Sequence, residues 1–502
     1  MNQTVSNKHS KGLYVLFATE MWERFNYYGM RAILVLFMTK ALLFDKAFAS
    51  NLYGSYTSLV YLTPLLGGYI ADRYWGNRMS IIAGGLVMAI GEFILFFCGQ
   101  FYESSPQISS VLFFSGLGFM IAGNGFFKPN ISSLVGQLYP KGDRRIDAAY
   151  TIFYMGINVG GAIGPFICGL VGDTGNPADF KWAFLVAGIG MLTSVAVQKL
   201  FHHKYVLDPE GKVLGLVPQT SPKVATQPLV VVGGLILLSF LMIGLLYLDA
   251  EVVSYLTYLL IAAVVFIAFV IFSDKTLNGI EKQRIGVIFI TAFFVIFFWS
   301  AFEQAGASLT FFAEEQTQRD LGFFMIPASF FQSLNSIFVI AFAPLFAWLW
   351  LRLGKRDPGS PTKMALGLAL LAVGYLWIAF GVKDVQPGIK VSVIWLTGMY
   401  LLHTWGELCL SPIGLSLVNK LAPFKFASLL MAVWFLANAA ANKLAGVLSA
   451  LYPEAGKTTS FLGYQMQTMH DFFMLFVIMA GIASLLLFFL TKKLQFMMHL
   501  DK

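Results

Sequence analysis

The chain has 502 residues, of which 57% are hydrophobic and only 12% are charged, and its mean hydropathy is +0.72. A soluble domain carries about 25% charged residues, so the composition excludes a soluble protein and indicates an integral membrane protein. The net charge of +8 is expected to mark cytoplasmic loops rather than a nucleic-acid partner.

Fourteen segments are long and apolar enough to span a bilayer as helices, which takes about 20 residues each. In chain order they are residues 13–39, 49–72, 80–99, 108–136, 146–171, 182–201, 228–248, 253–273, 285–312, 325–351, 364–382, 391–421, 426–450 and 470–491. Their length and the absence of short alternating patterns favour helices over the strands of a barrel.

The positions of Lys and Arg predict the orientation and the domains. With the N-terminus in the cytoplasm, 23 of the 34 Lys and Arg residues fall in cytoplasmic segments and seven in outer ones, so both termini are expected inside. We predict a six-helix bundle over residues 1–201, a cytoplasmic linker over 202–227, an inserted transmembrane hairpin with its loop over 228–284, and a second six-helix bundle over 285–502. The hairpin segments contain no Lys or Arg, and we expect them to be peripheral, lipid-facing and without site chemistry.

The first segment contains charges in the stretch TEMWERFNYYGMR, residues 19–31. An ionisable group near the bilayer midplane costs at least ~2.5–3.5 kcal/mol, so it is a functional hypothesis by default. On a helix, six side chains of this stretch share one arc of about 140°. They are Glu20, Glu23, Arg24, Tyr27, Tyr28 and Arg31. This face should border a cavity rather than lipid; mutual neutralisation of the two acids with Arg24 is the alternative, but it leaves Arg31 without a local acid.

Further charges lie in other apolar segments. Lys128 occurs in GNGFFKPN, where Pro129 is expected to break the helix, and Glu303 and Glu407 lie in the second half of the chain. The first half is thus cation-rich and the second acidic inside the membrane, which suits a zwitterion with separated termini, such as a short peptide. A carboxylate whose arginine partner is present in only one state changes its proton affinity, which provides a basis for coupling protons to a substrate.

Some buried groups have no predicted role. Glu92 and Lys443 fit no motif, and each is expected to snorkel or to pair with a neighbour. Cys98, Cys168 and Cys409 lie far apart in apolar runs, so we expect neither a disulfide nor a metal site.

Five motifs carry a family resemblance. The stretch that starts at Glu20, EMWERFNYYG, resembles the ExxERFxYYG signature of the proton-dependent oligopeptide transporter family, within the major facilitator superfamily. FYMGINVGGAIGP is similar to the family's FYxxINxG signature, and GNGFFKPN and GELCLSPIG also match. GGYIADRYWGNR resembles the superfamily's loop between the second and third spans. The resemblance covers the whole chain, and an inserted hairpin is typical of bacterial members.

This resemblance implies an all-α membrane protein with the major facilitator fold and a secondary transporter rather than an enzyme. It implies a monomer in the bacterial cytoplasmic membrane that imports di- and tripeptides with protons by alternating access, without any other cofactor. A family member carrying nitrate or another small solute, or a drug exporter, is the alternative. The first-helix charges and Glu407 favour peptides, because an inorganic anion needs no amine receptor.

The resemblance also assigns roles to residues. Proton coupling falls to Glu20, Glu23, Arg24 and Glu303. Substrate binding falls to Tyr27, Tyr28, Arg31, Tyr61, Lys128, Asn158, Trp299, Asn335, Glu407, Ser411 and Trp434. An inner-loop charge network is expected from Asp72, Arg73 and Arg78.

Within these sets, the resemblance implies that Glu407 binds the peptide amino terminus. Arg31 and Lys128 receive its carboxylate or pair with acids of the other bundle, and Glu303 pairs with Arg31 when the outer gate is shut. The alternative for Trp299 and Trp434 is a packing role, and for Asn158 a hydrogen bond between helices. Some relatives carry a histidine seven residues before the tyrosine matched by Tyr61; here Gly54 stands there, so carboxylates must carry the coupling.

Overall fold

The protein is built almost entirely from long helices. The computed structural model describes residues 9–140, 143, 145–251, 255–385, 388–454 and 456–499, without the side chains of residues 251, 355, 411–413 and 415. Within these ranges fifteen α-helices follow one another. They are α1 (Lys11–Lys40), α2 (Lys46–Ile70), α3 (Asn77–Phe101), α4 (Pro106–Gln137), α5 (Arg145–Gly172), α6 (Phe180–Tyr205), α7 (Pro228–Glu251), α8 (Tyr255–Phe272), α9 (Gly279–Phe302), α10 (Ser308–Glu315), α11 (Phe331–Leu353), α12 (Ser360–Val382), α13 (Val393–Leu421), α14 (Ala427–Ser449) and α15 (Met469–Met498).

Each of the fourteen predicted segments coincides with a long helical stretch, and the ninth covers both α9 and α10. By length and composition alone, eleven stretches in the described ranges could cross a membrane. Helices α1, α2 and α13 are not among these eleven. Helix α1 carries the four charges of residues 19–31, and α2 contains a run of Ser, Thr, Tyr and Gly. Helices α1 and α2 are therefore long but contain polar residues within the span.

The few strands are short and lie between helices. Strands β1 (Thr317–Gln318) and β2 (Val391–Ser392) pair in parallel, with Thr317 opposite Val391. Strands β3 (Thr459–Phe461) and β4 (Tyr464–Met466) form an antiparallel hairpin whose turn, Leu462 and Gly463, has positive φ at both residues. Positive φ at both turn residues matches the twist of tight hairpins.

The chain divides into two compact units. The first comprises Met1–Leu42 and Leu62–Tyr247, and the second Leu43–Tyr61 and Leu248–Lys502. In the first unit, α1 packs against α5 and α6, and α3 against α4 and α6. In the second, α12 packs against α13 and α15, and α14 against α8 and α9. The division cuts α2 just before Pro64 and cuts the inserted hairpin near the end of α7.

The expectation that Pro129 breaks its helix is wrong. Helix α4 continues from Pro106 to Gln137 with Pro129 inside it. Proline removes the amide that would bond the carbonyl of residue 125, four positions earlier. Gly67 of α2 comes so close to this carbonyl that a Cβ on Gly67 would lie 2.0 Å from the Gly125 oxygen. The Gly125 carbonyl, which lacks its helical hydrogen bond, therefore lies at a close contact between α2 and α4.

The expected peripheral position of the inserted hairpin agrees with its exposed side chains, but the hairpin also makes contacts that the sequence did not predict. Many of its apolar side chains are exposed, as lipid contact requires; Leu237 is 72% and Phe269 69% exposed. However, α7 contacts α4, where a Cβ on Gly118 would meet Ile243 Cγ1 at 2.3 Å. Asp249, just beyond the predicted boundary of the segment, forms a buried ion pair with Lys443. The hairpin thus supplies the negative charge that pairs with the buried Lys443 of α14.

Candidate functional site

The charges of α1 form one buried cluster. Arg24 Nε lies 2.8 Å from Glu20 Oε1 and 2.8 Å from Glu23 Oε2. The Glu23 side chain is fully buried, and those of Glu20 and Arg24 are 3% and 4% exposed. A buried charge is costly unless it is paired, and here a single guanidinium serves two carboxylates. The cluster therefore has one more negative than positive charge when both acids are ionised.

Glycines of α5 hold this turn of α1 in place. A Cβ on Gly160 would lie 2.2 Å from the carbonyl oxygen of Met21 and 2.8 Å from Arg24 Cβ. A Cβ on Gly164 would lie 2.5 Å from the carbonyl oxygen of Phe25. Small residues at four-residue spacing let two helix backbones approach closely. The glycines of FYMGINVGGAIGP thus position the charged turn of α1.

The aromatic residues of α1 surround its arginines. The Arg24 guanidinium carbon lies 5.8 Å from the centre of the Tyr27 ring and 6.0 Å from that of Tyr28. Arg31 lies 5.7 Å from the Tyr28 ring, and the two tyrosine rings meet edge to face at 5.4 Å. These distances allow cation–π attraction. The polar arc predicted from the sequence is thus a physical cluster on one helix.

Helix α4 contributes an amide and an amine to the same unit. Asn124 Nδ2 donates to Glu23 Oε1 at 3.3 Å, and Lys128, which is half-buried, acts electrostatically on Glu23. Lys128 was predicted from the sequence, whereas Asn124 was missed. The available signal was its place in GNGFFKPN, one helical turn before Lys128 on the same face.

Two further predicted binding residues lie on α5 and α2. Asn158 is 5% exposed, and its Nδ2 donates at 2.9 Å to the carbonyl of Tyr154 in its own helix, not to another helix. Tyr61 is half-buried and ends the part of α2 that belongs to the second unit. Their substrate contacts stay predictions.

The acids of the second unit lie near each other. Asn335 Nδ2 donates to Glu407 Oε2 at 2.8 Å and to Thr404 Oγ1 at 3.1 Å. Glu303 acts electrostatically on Glu407, and the two residues are 5% and 8% exposed. Glu303 sits where α9 gives way to a short 3₁₀ turn before α10, at a break in the span. This unit thus presents two nearby carboxyls, one oriented by an amide.

Two predicted tryptophans of the second unit, Trp434 on α14 and Trp299 on α9, pack against neighbouring residues. Trp434 is 5% exposed, and a Cβ on Gly414 of α13 would lie 2.1 Å from its ring. Trp299 is half-buried and meets Phe298 and Phe302 edge to face at 5.2 and 5.1 Å. These contacts agree with the packing alternative without testing the binding role. The side chain of Ser411 lies outside the described residues.

The predicted inner-loop network is not brought together. Asp72 and Arg73 are exposed, and Arg73 donates to the hydroxyl of Tyr69 at 3.5 Å. The Arg78 backbone donates to the carbonyl of Gly215 at 2.9 Å. Among the described residues, no ion pair joins Asp72 to either arginine.

The structure gives partners to both buried charges that fit no motif. Asn26 Nδ2 donates to Glu92 Oε1 at 2.8 Å and to the carbonyl of Ala187 at 3.0 Å. Lys443 pairs with Asp249. Asn26 lies on the face of α1 opposite the charged arc, which is why the helical projection did not single it out.

Gly54, which stands where some relatives carry histidine, lies against α14. A Cβ on Gly54 would be 2.7 Å from Gly446 Cα and 2.9 Å from the Asn442 carbonyl oxygen. Backbone atoms cannot move aside as a flexible side chain can, so an imidazole has no room here.

Comparisons with known proteins agree with this layout. Residues 78–467 match the model of the POT family. The chain is 36% identical over 463 residues to an uncharacterized transporter, YclF, from Bacillus subtilis, covering 90% of each protein. It is 32% identical over 471 residues to the di-/tripeptide transporter of Lactococcus lactis subsp. lactis, covering 90% of this chain and 91% of the relative.

A solved structure gives the same fold. The crystal structure of a peptide transporter, POT, in complex with alafosfalin has a TM-score of 0.80 and 30% identity. The match covers 98% of this chain and 96% of that one. The predicted all-α major facilitator fold is therefore confirmed. This chain, a multi-pass membrane protein, belongs to the POT family of proton-dependent oligopeptide transporters.

Proposed function

We propose that this chain is a secondary transporter that imports di- and tripeptides together with protons. The observation that supports this most is the division of buried charge between the two units. The first holds Arg31 and Lys128 beside the Glu20–Arg24–Glu23 cluster, and the second holds Glu303 and Glu407. A short peptide at working pH has one carboxylate and one ammonium group, and each finds a receptor of opposite charge in one unit.

The α1 cluster supplies the coupling. When both acids are ionised they compete for the Arg24 guanidinium, which lies 2.8 Å from each. A proton on either acid leaves Arg24 with one carboxylate partner and makes the cluster neutral. The positive field of Arg31 and Lys128 is then no longer offset, so a peptide carboxylate binds more tightly. Proton and peptide thus favour each other's binding, which is a reciprocal coupling.

The second unit supplies the amine site. Asn335, which also donates to Thr404, fixes the orientation of the Glu407 carboxyl, so the oxygen not held by Asn335 faces the bound amine. Ser411 and Trp434 complete this site, and Tyr27, Tyr28, Tyr61, Asn158 and Trp299 contact the peptide backbone and side chains. We place the protein in the bacterial cytoplasmic membrane, with both termini inside, as a monomer that uses protons and no other cofactor.

The test is uptake of a labelled dipeptide into vesicles that contain the purified chain, under an imposed pH gradient. We expect accumulation that stops when an ionophore collapses the gradient. Competition with unlabelled di- and tripeptides, free amino acids and nitrate separates the candidate substrates. If none of several labelled dipeptides accumulates while the protein is folded, the peptide function is wrong. Uptake of labelled nitrate under the same gradient would then favour the alternative substrate.

A further inference from the structure

A buried cluster joins the inserted hairpin to α14 and α2. The Asp249 carboxylate accepts hydrogen bonds from Lys443 Nζ and from the Ser55 hydroxyl. Lys443 Nζ also donates to Ser55 Oγ at 2.9 Å, and the backbone amide of Leu256 donates to Asp249 Oδ1 at 2.9 Å. The Lys443 and Asp249 side chains are each 2% exposed. We call Ser55, Asp249 and Lys443 the Asp249 cluster.

A contribution to the stability of the folded state does not by itself explain such a cluster. Replacing a buried ion pair with apolar side chains of similar volume is often neutral or stabilising, whereas removing one partner strands a buried charge. The described ion partner of Lys443 lies 194 residues away in sequence, on the inserted hairpin. The charge on α14 therefore depends on the hairpin.

Three consecutive residues of α2 contact three different elements within the second unit. The Tyr53 hydroxyl lies over Gly306, where an added Cβ would be 1.7 Å away, in the 3₁₀ turn that begins at Glu303. Gly54 lies against Gly446, and Ser55 joins the Asp249 cluster. The start of α2 is thus held by a turn, by a helix backbone and by a buried charge.

The packing of residues 43–61 in the second unit depends on how α2 is divided between the two units. Leu43–Tyr61 packs in the second unit, although the residues before and after it belong to the first. The next turn of α2 bonds within the first unit, where the Thr63 hydroxyl donates to the Ile121 carbonyl at 3.0 Å. Pro64 lies at the division and lacks the amide that would bond residue 60. If the units move relative to each other, residues 43–61 must either bend away from the rest of α2 or leave the second unit.

We propose that the Asp249 cluster is a positioning device of the transport cycle. The hairpin supplies Asp249, which holds Lys443 where it binds Ser55 and keeps residues 43–61 in the second unit. Ser55 leaves the cluster in the alternate state, while Asp249 and Lys443 stay paired. The hairpin therefore sets the balance between two states of the transporter. This inference rests on the proposed alternating-access function.

The test measures a distance and needs no substrate. Spin labels on Leu43→Cys and Thr458→Cys report on the start of α2 and on a loop of the second unit; Leu43 is 80% exposed and Thr458 is exposed. The native cysteines are buried and take up little label. Double electron–electron resonance on the full chain in vesicles then gives the populations of short and long distances.

Ser55→Ala is the informative variant, because it keeps the ion pair and so the fold. We expect the ratio of long to short distances to rise about tenfold, since one hydrogen bond to charged groups is lost. Asp249→Asn should shift the ratio in the same direction and further. The control is Asp274→Asn, at the other end of the hairpin. Hydrogen bonds from Lys425 and Thr276 lower the pKa of the Asp274 carboxyl to about 2, so the control also removes a negative charge from the hairpin.

Two outcomes would overturn the proposal. One is that Ser55→Ala and Asp249→Asn leave the distance populations as they are, even if Asp249→Asn lowers the melting temperature. The other is that Asp274→Asn shifts the populations equally, because the effect then reports a general disturbance of the hairpin. Neither outcome depends on whether peptides are the substrate, so a failure here is distinct from a failure of the proposed function.

Discussion

Gly160 of α5 lies so close to Met21 of α1 that a Cβ on the glycine would fall 2.2 Å from the Met21 carbonyl oxygen. Gly160→Ala should therefore push α1 away at the turn that carries Arg24. Overpacking a close contact costs about 1–3 kcal/mol, and the displaced charges should reduce gradient-driven uptake severely. Thermal unfolding and dipeptide uptake measure the two effects.

The matched control is Gly481→Ala in α15, where an added Cβ meets nothing within 4 Å. It should unfold at the same or a slightly higher temperature than the unmodified chain, because alanine favours a helix over glycine, and keep full uptake. Equal behaviour of the two alanine variants would contradict the positioning role of Gly160.

Glu23 should be essential for accumulation but not for exchange. Glu23→Gln keeps the shape of this fully buried side chain and removes the group that can gain and lose a proton. We expect accumulation against a gradient to vanish while labelled peptide still exchanges across vesicles loaded with unlabelled peptide. Glu210→Gln, in the exposed linker, serves as the control. Normal accumulation by Glu23→Gln would remove Glu23 from the coupling and leave Glu20 as the candidate on α1.

Asn335→Ala should weaken peptide binding. Its Nδ2 donates to Glu407 Oε2 at 2.8 Å, so its loss lets the carboxyl turn away from the amine. A lost hydrogen bond to a charged group is worth about 1.5–3 kcal/mol, which corresponds to a rise in KM of roughly ten- to a hundredfold. Asn51→Ala is the comparison, since among the described residues the Asn51 side chain donates to the carbonyl of Ala47 in its own helix and to no other group. An unchanged KM for Asn335→Ala would argue against Glu407 as the amine receptor.

Glu92 should tolerate glutamine but not alanine. Glu92 Oε2 and Asn26 Oδ1 are both buried and lack a described hydrogen-bond partner, while Asn26 Nδ2 already donates to Glu92 Oε1. A glutamine amide can accept from Asn26 and donate to its free oxygen. Glu92→Gln should thus unfold at or above the temperature of the unmodified chain and transport normally, whereas Glu92→Ala should lose about 1–3 kcal/mol of stability. A loss of proton coupling in Glu92→Gln would instead make Glu92 a proton carrier.

The sequence predicts local features of this protein well. Helical spacing alone places Glu20 and Arg24 side by side, and the structure has them 2.8 Å apart. The span lengths follow from hydropathy, because lipid allows few alternatives to a helix. What depends on distant packing could not be predicted. The hydrogen bond between Asn335 and Glu407 joins two residues that lie 72 positions apart in the sequence. The sequence pointed to each residue separately but not to the bond between them.

Asp249 shows why some site chemistry was missed. It lies one residue past the predicted end of an apolar segment, where an acid looks like part of a loop. The useful signal was Lys443, a cation inside a span with no acid within helical reach, which required a partner from elsewhere in the chain. Similarly, Pro129 predicts a broken helix by local rules, yet α4 continues because neighbouring helices support it.

The Asp249–Lys443 pair also constrains how such a protein can evolve. A chain that lost the hairpin by deletion would keep the lysine on α14 buried and uncompensated, at a cost of about 3–5 kcal/mol. Loss of the insertion is therefore tolerated only together with an exchange of Lys443 for an uncharged residue. The insertion and Lys443 should therefore be retained or lost together in evolution, although 194 residues separate the two charges in the sequence.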